Sequence, residues 1–186
     1  AGVRTTWEEF TGQGGTAARA LIAVGVQPGN VVCMLGFNRS EWVIGQLAAM
    51  MVGGVGAGIY ATNSPSEVQY ILNHSEAPIV ILENESQWAK INQVRDQLPH
   101  LRTAVMMRGS RVDDPLARSW DAFLACAEET TEAELDARIA AIEMEQLASL
   151  IYTSGTTGHP KAVMLSHKNL ASTARNGQEL FKLTPN

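Results

Sequence analysis

The stretch Gln27-Pro28-Gly29-Asn30-Val31-Val32-Cys33-Met34-Leu35 sets the pattern for the fold. Its first four residues are turn formers, and the next five are a continuous apolar run with the length of a short strand. A strand that is apolar at every position is typical of a parallel sheet, in which both faces are covered. The stretch therefore predicts a buried central strand with helices on both sides of its sheet.

The same alternation of apolar runs and helical segments continues along the chain. Further strands are predicted at residues 56–60, 78–82, 103–107, 147–152 and 162–165. Helices are predicted at residues 85–97, 120–127 and 167–181, and after the N-caps Thr6, Ser40 and Ser64. Strands that alternate with helices predict an α/β protein with a doubly wound, Rossmann-like, mostly parallel sheet and helices on both faces.

The region between Arg108 and Gln146 departs from this alternation. Residues 108–118 are predicted to form a polar loop. Residues 131–144 are acidic and rich in alanine, which fits either a solvated helix or a mobile connector. We interpret the glutamates at 128, 129, 132 and 134 as a solvated face and not as a catalytic carboxylate pair.

The composition describes a globular protein with no general affinity for polyanions. Of the 186 residues, 45% are hydrophobic and 18% are charged, which is enough for a core without a disulfide or a metal. Lys and Arg number 14 against 19 Asp and Glu, a net charge of −5, so we expect no nucleic-acid partner. Cys33 and Cys126 lie among apolar neighbours, which indicates buried, reduced thiols and a reducing compartment.

Residues 42–60 have the length and the low polarity of a membrane span, with Gln46 as the only strongly polar side chain. Their five glycines favour a buried helix that runs into a buried strand. No basic region precedes an apolar stretch near Ala1, so we expect no signal peptide. The absence of an initial Met leads us to expect a piece of a longer polypeptide.

The segment from Tyr152 to Lys161 carries the strongest functional signal. It holds four hydroxyl side chains, two glycines and one lysine within nine residues, directly after an apolar run. Glycines let consecutive backbone N–H groups form a concave nest for an anion, and hydroxyl and lysine side chains add donors around it. The segment predicts a loop that wraps a polyphosphate. A flexible linker has a similar composition, but the flanking β-type runs and Pro160 weigh against that interpretation.

Other nucleotide and metal motifs are disfavoured. Lys161 follows a proline and leads into Ala162, so the loop is not a Walker A motif, and the G-x-G-x-x-A pattern at residues 12–17 has no preceding strand. The histidines at 74, 100 and 159 lack metal-ligand spacing and are predicted to lie at the surface, so we predict no metal site. Trp42 and Tyr60 could line a ligand pocket, although core packing is commoner for aromatic residues in such runs.

Residues 167 and 168 leave two interpretations open. His167 and Lys168 could face the nucleotide. A position at the exposed start of a helix is at least as frequent, so neither residue is included in the predicted site.

The segment 152–161 resembles the signature loop of the adenylate-forming superfamily, which includes acyl-CoA synthetases, luciferases and peptide-synthetase adenylation domains. Residues 36–42, 57–64 and 95–99 are similar to long-chain fatty acyl-CoA synthetases, especially the bubblegum-type branch. The resemblance implies that residues 1–186 are the N-terminal part of an AMP-binding (adenylation) domain. The rest of that domain and a C-terminal domain are then absent. One departure is Ala162, where the family usually has glycine, so the added methyl group could shift the loop.

The resemblance implies an AMP-forming ligase that activates a long-chain fatty acid with ATP and transfers it to CoA, with Mg²⁺ as cofactor. It assigns the β- and γ-phosphates of ATP to one set of residues: Thr153, Ser154, Gly155, Thr156, Thr157, Gly158 and Lys161. Lys161 would also stabilise charge during catalysis. Residues 1–186 alone are expected to be inactive.

Three alternatives and two properties stay open. The alternatives are a non-catalytic nucleotide-binding module, an adenylate-forming enzyme of the aryl or peptide-synthetase type, and a phosphohydrolase or kinase. We expect a cytoplasmic enzyme, and attachment to the cytosolic face of a membrane is left open, as is the oligomeric state. The predicted partners are the small molecules fatty acid, ATP and CoA.

Overall fold

The computed structural model describes residues 5–153 and 160–182 and shows seven strands. In chain order these are β1 Val31–Leu35, β2 Val55–Ile59, β3 Ile79–Leu82, β4 Thr103–Met106, β5 Ala117–Ser119, β6 Leu147–Thr153 and β7 Lys161–Ser166. They form one sheet in the order β5-β4-β3-β1-β2-β6-β7. All neighbours are parallel except β6 and β7, so the predicted mostly parallel sheet is confirmed.

The described residues also form seven α-helices. They are α1 Trp7–Ala23, α2 Ser40–Met51, α3 Pro65–His74, α4 Glu85–Val94, α5 Trp120–Ala125, α6 Glu132–Ala140 and α7 His167–Phe181. Thr6 and Ser64 are N-caps as predicted, and in the structure each forms a capping box. The prediction for Ser40 was wrong, because Ser40 is the first helical residue and Arg39 is the N-cap, without a side-chain hydrogen bond.

Two apolar clusters cover the two faces of the sheet. On one face, which we call the α1/α2 face, helices α1, α2, α5 and α6 pack on residues such as Val32 and Met34 of β1. On the opposite face, the α3/α4 face, helices α3 and α4 pack on Cys33 and Leu35 of the same strand. Alternate residues of β1 thus point to opposite cores, and the doubly wound arrangement is confirmed.

The region between β4 and β6 differs in part from its prediction. Residues 117–119 form a short strand within the predicted polar loop. Residues 132–140 form a solvated helix that is capped by Thr131 and buries Leu135, which resolves the alternative of a mobile connector. Cys33 is buried as expected, whereas Cys126 is half-buried, and both thiols are free.

The stretch 42–60 is the C-terminal part of α2 followed by β2, as predicted. Within the described ranges 5–153 and 160–182, no helix combines the length and the apolar character that crossing a bilayer requires.

Candidate functional site

The parallel strands end at one edge of the sheet, where the chain places several residues of interest. Gly36 follows β1, Tyr60 follows β2 and Glu83 follows β3, while β6 ends at Thr153. Ligands of doubly wound sheets bind outside the carboxyl ends of the strands. The predicted phosphate loop therefore leaves the sheet at the edge where α/β proteins bind ligands.

The structure brings the two ends of the predicted loop together. Thr153 of β6 is the register partner of Lys161 of β7, and the Thr153 hydroxyl lies 3.5 Å from the Lys161 carbonyl oxygen, to which it donates. Both residues are exposed. The other predicted phosphate ligands lie outside the described residues, so their role stays a prediction: Ser154, Gly155, Thr156, Thr157 and Gly158.

On the α3/α4 face, the base of this hairpin contacts helix α3. The side chain of Tyr152 is buried, and its hydroxyl lies 2.9 Å from Nδ1 of His74. Burial raises the pKa of Tyr152 to about 12, so the phenol is neutral at physiological pH. His74 is exposed, as predicted, but no pattern in the sequence indicated that it would contact Tyr152.

On the α1/α2 face, a cavity of about 390 Å³ lies beside β6. Its walls include Trp42 and Gln46 of α2, Tyr60 and Ile151. Tyr60 is 63% exposed, so the interpretation of this side chain as core packing was wrong. A cavity of this size with an apolar wall and a few polar groups can hold a small organic ligand.

Glycines in β2 create the space that the side chains of α2 occupy. A Cβ atom at Gly56 would collide with the amide of Gln46, and a Cβ at Gly58 would lie 3.0 Å from the Trp42 ring. Because neither glycine has a side chain, Gln46 and Trp42 lie directly against the sheet. The glycines of this strand thus have a packing role.

The crevice between β1 and β3 is closed by a residue that sequence reasoning missed. This is the switch point of the sheet, because β2 lies on the other side of β1. The carboxylate of Glu83 accepts a hydrogen bond from the Phe37 N–H at 2.9 Å, and a Cβ at Gly36 would lie only 2.5 Å from the Glu83 Cβ. A carboxylate at this point repels anions, which disfavours a phosphate site in this crevice.

His167 and Lys168 lie far from the hairpin. Strand β7 is antiparallel to β6, and its last residue, Ser166, pairs with Leu147 at the opposite end. Five steps of about 3.4 Å separate Lys161 from Ser166, roughly 17 Å in all. Burial lowers the pKa of His167, and Lys168 pairs with Glu145 at 3.0 Å. The helix-start interpretation of these two residues is favoured.

Among the described residues, no three His, Cys, Asp or Glu side chains are grouped as a metal site. Mg²⁺ is usually held through one or two carboxylates together with substrate phosphates and waters.

A doubly wound sheet with a hydroxyl- and glycine-rich hairpin at its carboxyl edge has the architecture of a nucleotide-binding α/β protein. The sequence model of the family described as AMP-binding enzyme matches residues 1–186, so the chain belongs to that family.

Individual curated proteins are also similar to this chain. The chain is 38% identical over 181 residues to the long-chain-fatty-acid–CoA ligase ACSBG2 of Xenopus laevis, a bubblegum-type ligase. The match covers 97% of this chain and 24% of the relative, so the chain spans about a quarter of the length of this relative.

Solved structures show the same fold. The anthranilate CoA ligase AuaEII in complex with anthranoyl-AMP matches with a TM-score of 0.77 and 26% identity, over 92% of this chain and 31% of that protein. ATP-bound MatB from Rhodopseudomonas palustris matches with a TM-score of 0.73 and 27% identity, over 100% of this chain and 34% of that protein. The predicted fold, that of the N-terminal part of an adenylate-forming synthetase, is confirmed.

Proposed function

We propose that this chain is the N-terminal part of an AMP-forming ligase for long-chain fatty acids. The fatty carboxylate attacks the α-phosphate of ATP, which releases pyrophosphate and leaves an acyl-adenylate. The thiol of CoA then attacks the acyl carbonyl and displaces AMP. The proposal is supported by the family membership and by the similarity to ACSBG2.

One observation of the structure carries the proposal: Thr153 and Lys161 are register partners and exposed at the carboxyl edge of the sheet. The Lys161 ammonium thus belongs to the base of the hairpin that contains the predicted phosphate ligands. Charge grows on the β-phosphate as pyrophosphate leaves, and a fixed ammonium and preorganised N–H groups offset that charge. We assign the β- and γ-phosphates of ATP to the hairpin, with Thr153 and Lys161 at its two ends.

ATP and CoA would be substrates of the complete ligase. Mg²⁺, when bound to the phosphates, would neutralise part of their charge. The partners are small molecules. A cytoplasmic location is the proposal that suits the two free thiols, Cys33 and Cys126. Attachment to the cytosolic face of a membrane and the oligomeric state are open.

The test is ATP–pyrophosphate exchange by the ligase polypeptide that contains residues 1–186, with palmitate as the acid. Lys161→Ala should lower the exchange rate by about 10- to 100-fold, since a hydrogen bond to a charged group contributes roughly 1.5–3 kcal/mol. Lys168→Ala is the matched control. That lysine pairs with Glu145 on the surface far from the hairpin, and its loss should change the rate less than about twofold.

Three results would contradict the proposal in different ways. An unchanged exchange rate for Lys161→Ala removes Lys161 from the phosphate site. ATP binding without exchange favours a non-catalytic nucleotide-binding module. Exchange that depends on aryl acids and not on palmitate favours an aryl-activating enzyme, the kind of acid named for the structural neighbour AuaEII.

A further inference from the structure

We infer that His74 is a positioning residue, which holds the base of the phosphate-binding hairpin in place through Tyr152. The inference rests on the proposed function of the hairpin. The structural element is the contact between the last residue of α3 and the residue that immediately precedes Thr153.

The contact is both polar and aromatic. The Tyr152 hydroxyl and Nδ1 of His74 lie 2.9 Å apart, and the two rings meet edge to face, with centroids 5.7 Å apart. The imidazole also stacks on Tyr70 at a centroid distance of 5.5 Å. The imidazole therefore contacts two aromatic rings, one from α3 and one from β6, which restricts its orientation.

Tyr152 transmits this restriction to the hairpin. Its side chain is 3% exposed, while Thr153, the next residue, is exposed and begins the predicted phosphate loop. Tyr152 and Thr153 are both paired with β7, so a fixed Tyr152 side chain restricts the position at which the chain leaves the sheet. A buried hydroxyl needs hydrogen-bond partners, and His74 shares this role for Tyr152 with the side chain of Ser75.

The returning end of the hairpin borders a cavity on this face. A cavity of about 450 Å³ is lined by His74 and Tyr70 of α3, and by Pro160, Lys161 and Ala162 from the start of β7. His74 thus lies close to the start of β7 as well as to the end of β6. A change at this one side chain is expected to affect the hairpin and not the cavity on the α1/α2 face.

The experiment compares the affinity for ATP with that for the acid in the ligase polypeptide that contains this chain. His74→Phe keeps an aromatic ring but removes the hydrogen bond. We expect the KM for ATP in pyrophosphate exchange to rise about three- to tenfold, because a neutral hydrogen bond of this kind contributes an effect of that order. The KM for palmitate should stay within about twofold. His100→Phe, the same substitution at an exposed histidine, should leave both constants unchanged.

A rescuing substitution and a double variant distinguish a positioning role of His74 from a general structural role. His74→Asn places an amide near the position of Nδ1 and should bring the KM for ATP back to within about twofold of wild type. Tyr152→Phe should raise that KM like His74→Phe, and the double variant should show no further rise. If His74→Phe does not fold, Tyr152→Phe provides the same comparison.

The outcomes are distinct. An unchanged KM for ATP in His74→Phe and Tyr152→Phe, in a ligase whose exchange depends on Lys161, overturns this inference alone. Equal rises in both KM values, or effects of the single variants that simply add, also overturn it. Absence of exchange in the wild-type ligase overturns the proposed function and this inference together.

Discussion

Replacing Ala162 with glycine tests whether the departure from the family pattern disturbs the hairpin. Ala162 is the register partner of Tyr152, and its methyl group is half-buried against the cluster on the α3/α4 face. The methyl group therefore lies within a paired strand, and the structure supplies no sign that it displaces the chain. We expect Ala162→Gly to weaken the fold without improving catalysis.

The magnitude follows from two terms. Glycine in the interior of a regular element is less favourable than alanine by about 0.5–1 kcal/mol, because its unfolded chain is more flexible. Loss of a half-buried methyl group removes roughly 0.4 kcal/mol more, half the value of a fully buried CH₂ group. Ala162→Gly should therefore lower the free energy of unfolding by about 1–1.5 kcal/mol, measured by urea denaturation of the 186-residue chain.

Ala117 provides the matched control. It is also half-buried, packs on the same cluster, and lies in β5 at the other end of the sheet. Ala117→Gly should cause a similar loss of stability, and in the ligase both variants should keep the wild-type KM for ATP within about twofold. The reasoning would be refuted if Ala162→Gly increased the rate of pyrophosphate exchange severalfold while Ala117→Gly did not, since the methyl group would then distort the loop.

Two further predictions concern packing and thiol reactivity. Gly45→Ala should destabilise the chain by about 1–2 kcal/mol in urea denaturation, because the new Cβ would lie 2.5 Å from Cδ1 of the buried Ile81. Gly15→Ala should stabilise the chain by about 0.5–1 kcal/mol, since no atom lies within 4 Å of the new Cβ. A stability change of the same sign for both variants would contradict the packing. Burial raises the pKa of Cys33 to about 12, so iodoacetamide at pH 8 should label the half-buried Cys126 first in the native chain, and mass spectrometry showing rapid labelling of Cys33 would contradict its burial.

The strands could be predicted where burial on both faces leaves a continuous apolar run. The run at Val31–Leu35 forms β1, and the helix predicted at 167–181 has the same bounds in the structure. The strand Ala117–Ser119 could not be found in this way. It is three residues long, it contains Arg and Ser, and it exists because its backbone pairs with β4. Pairing of this kind leaves no hydrophobic pattern in the sequence.

The place of the candidate site in the chain could be predicted from the sequence, its geometry could be predicted only in part, and its role in phosphate binding stays a prediction. The composition of the segment that ends at Lys161 predicted a phosphate loop between two strands, and the register of Thr153 with Lys161 agrees with that order. The contact between His74 and Tyr152 joins residues 78 positions apart in the chain. The packing of α3 on the sheet brings these two side chains together, so no local sequence pattern predicts the contact.

Strand β6 gives the hairpin different surroundings on its two faces, and this difference bears on the proposed function of the hairpin. Tyr152, on the α3/α4 face, is buried and bonded to His74, whereas its neighbour Ile151, on the α1/α2 face, is 45% exposed and borders the cavity beside Trp42. A loop that stabilises a changing charge must be fixed before the reaction, because reorganisation during the reaction would raise the barrier. In the proposed function, the other side of the loop would stay open for the molecule that reacts. Two successive residues of one strand would meet these opposite needs, since their side chains point to opposite faces of the sheet.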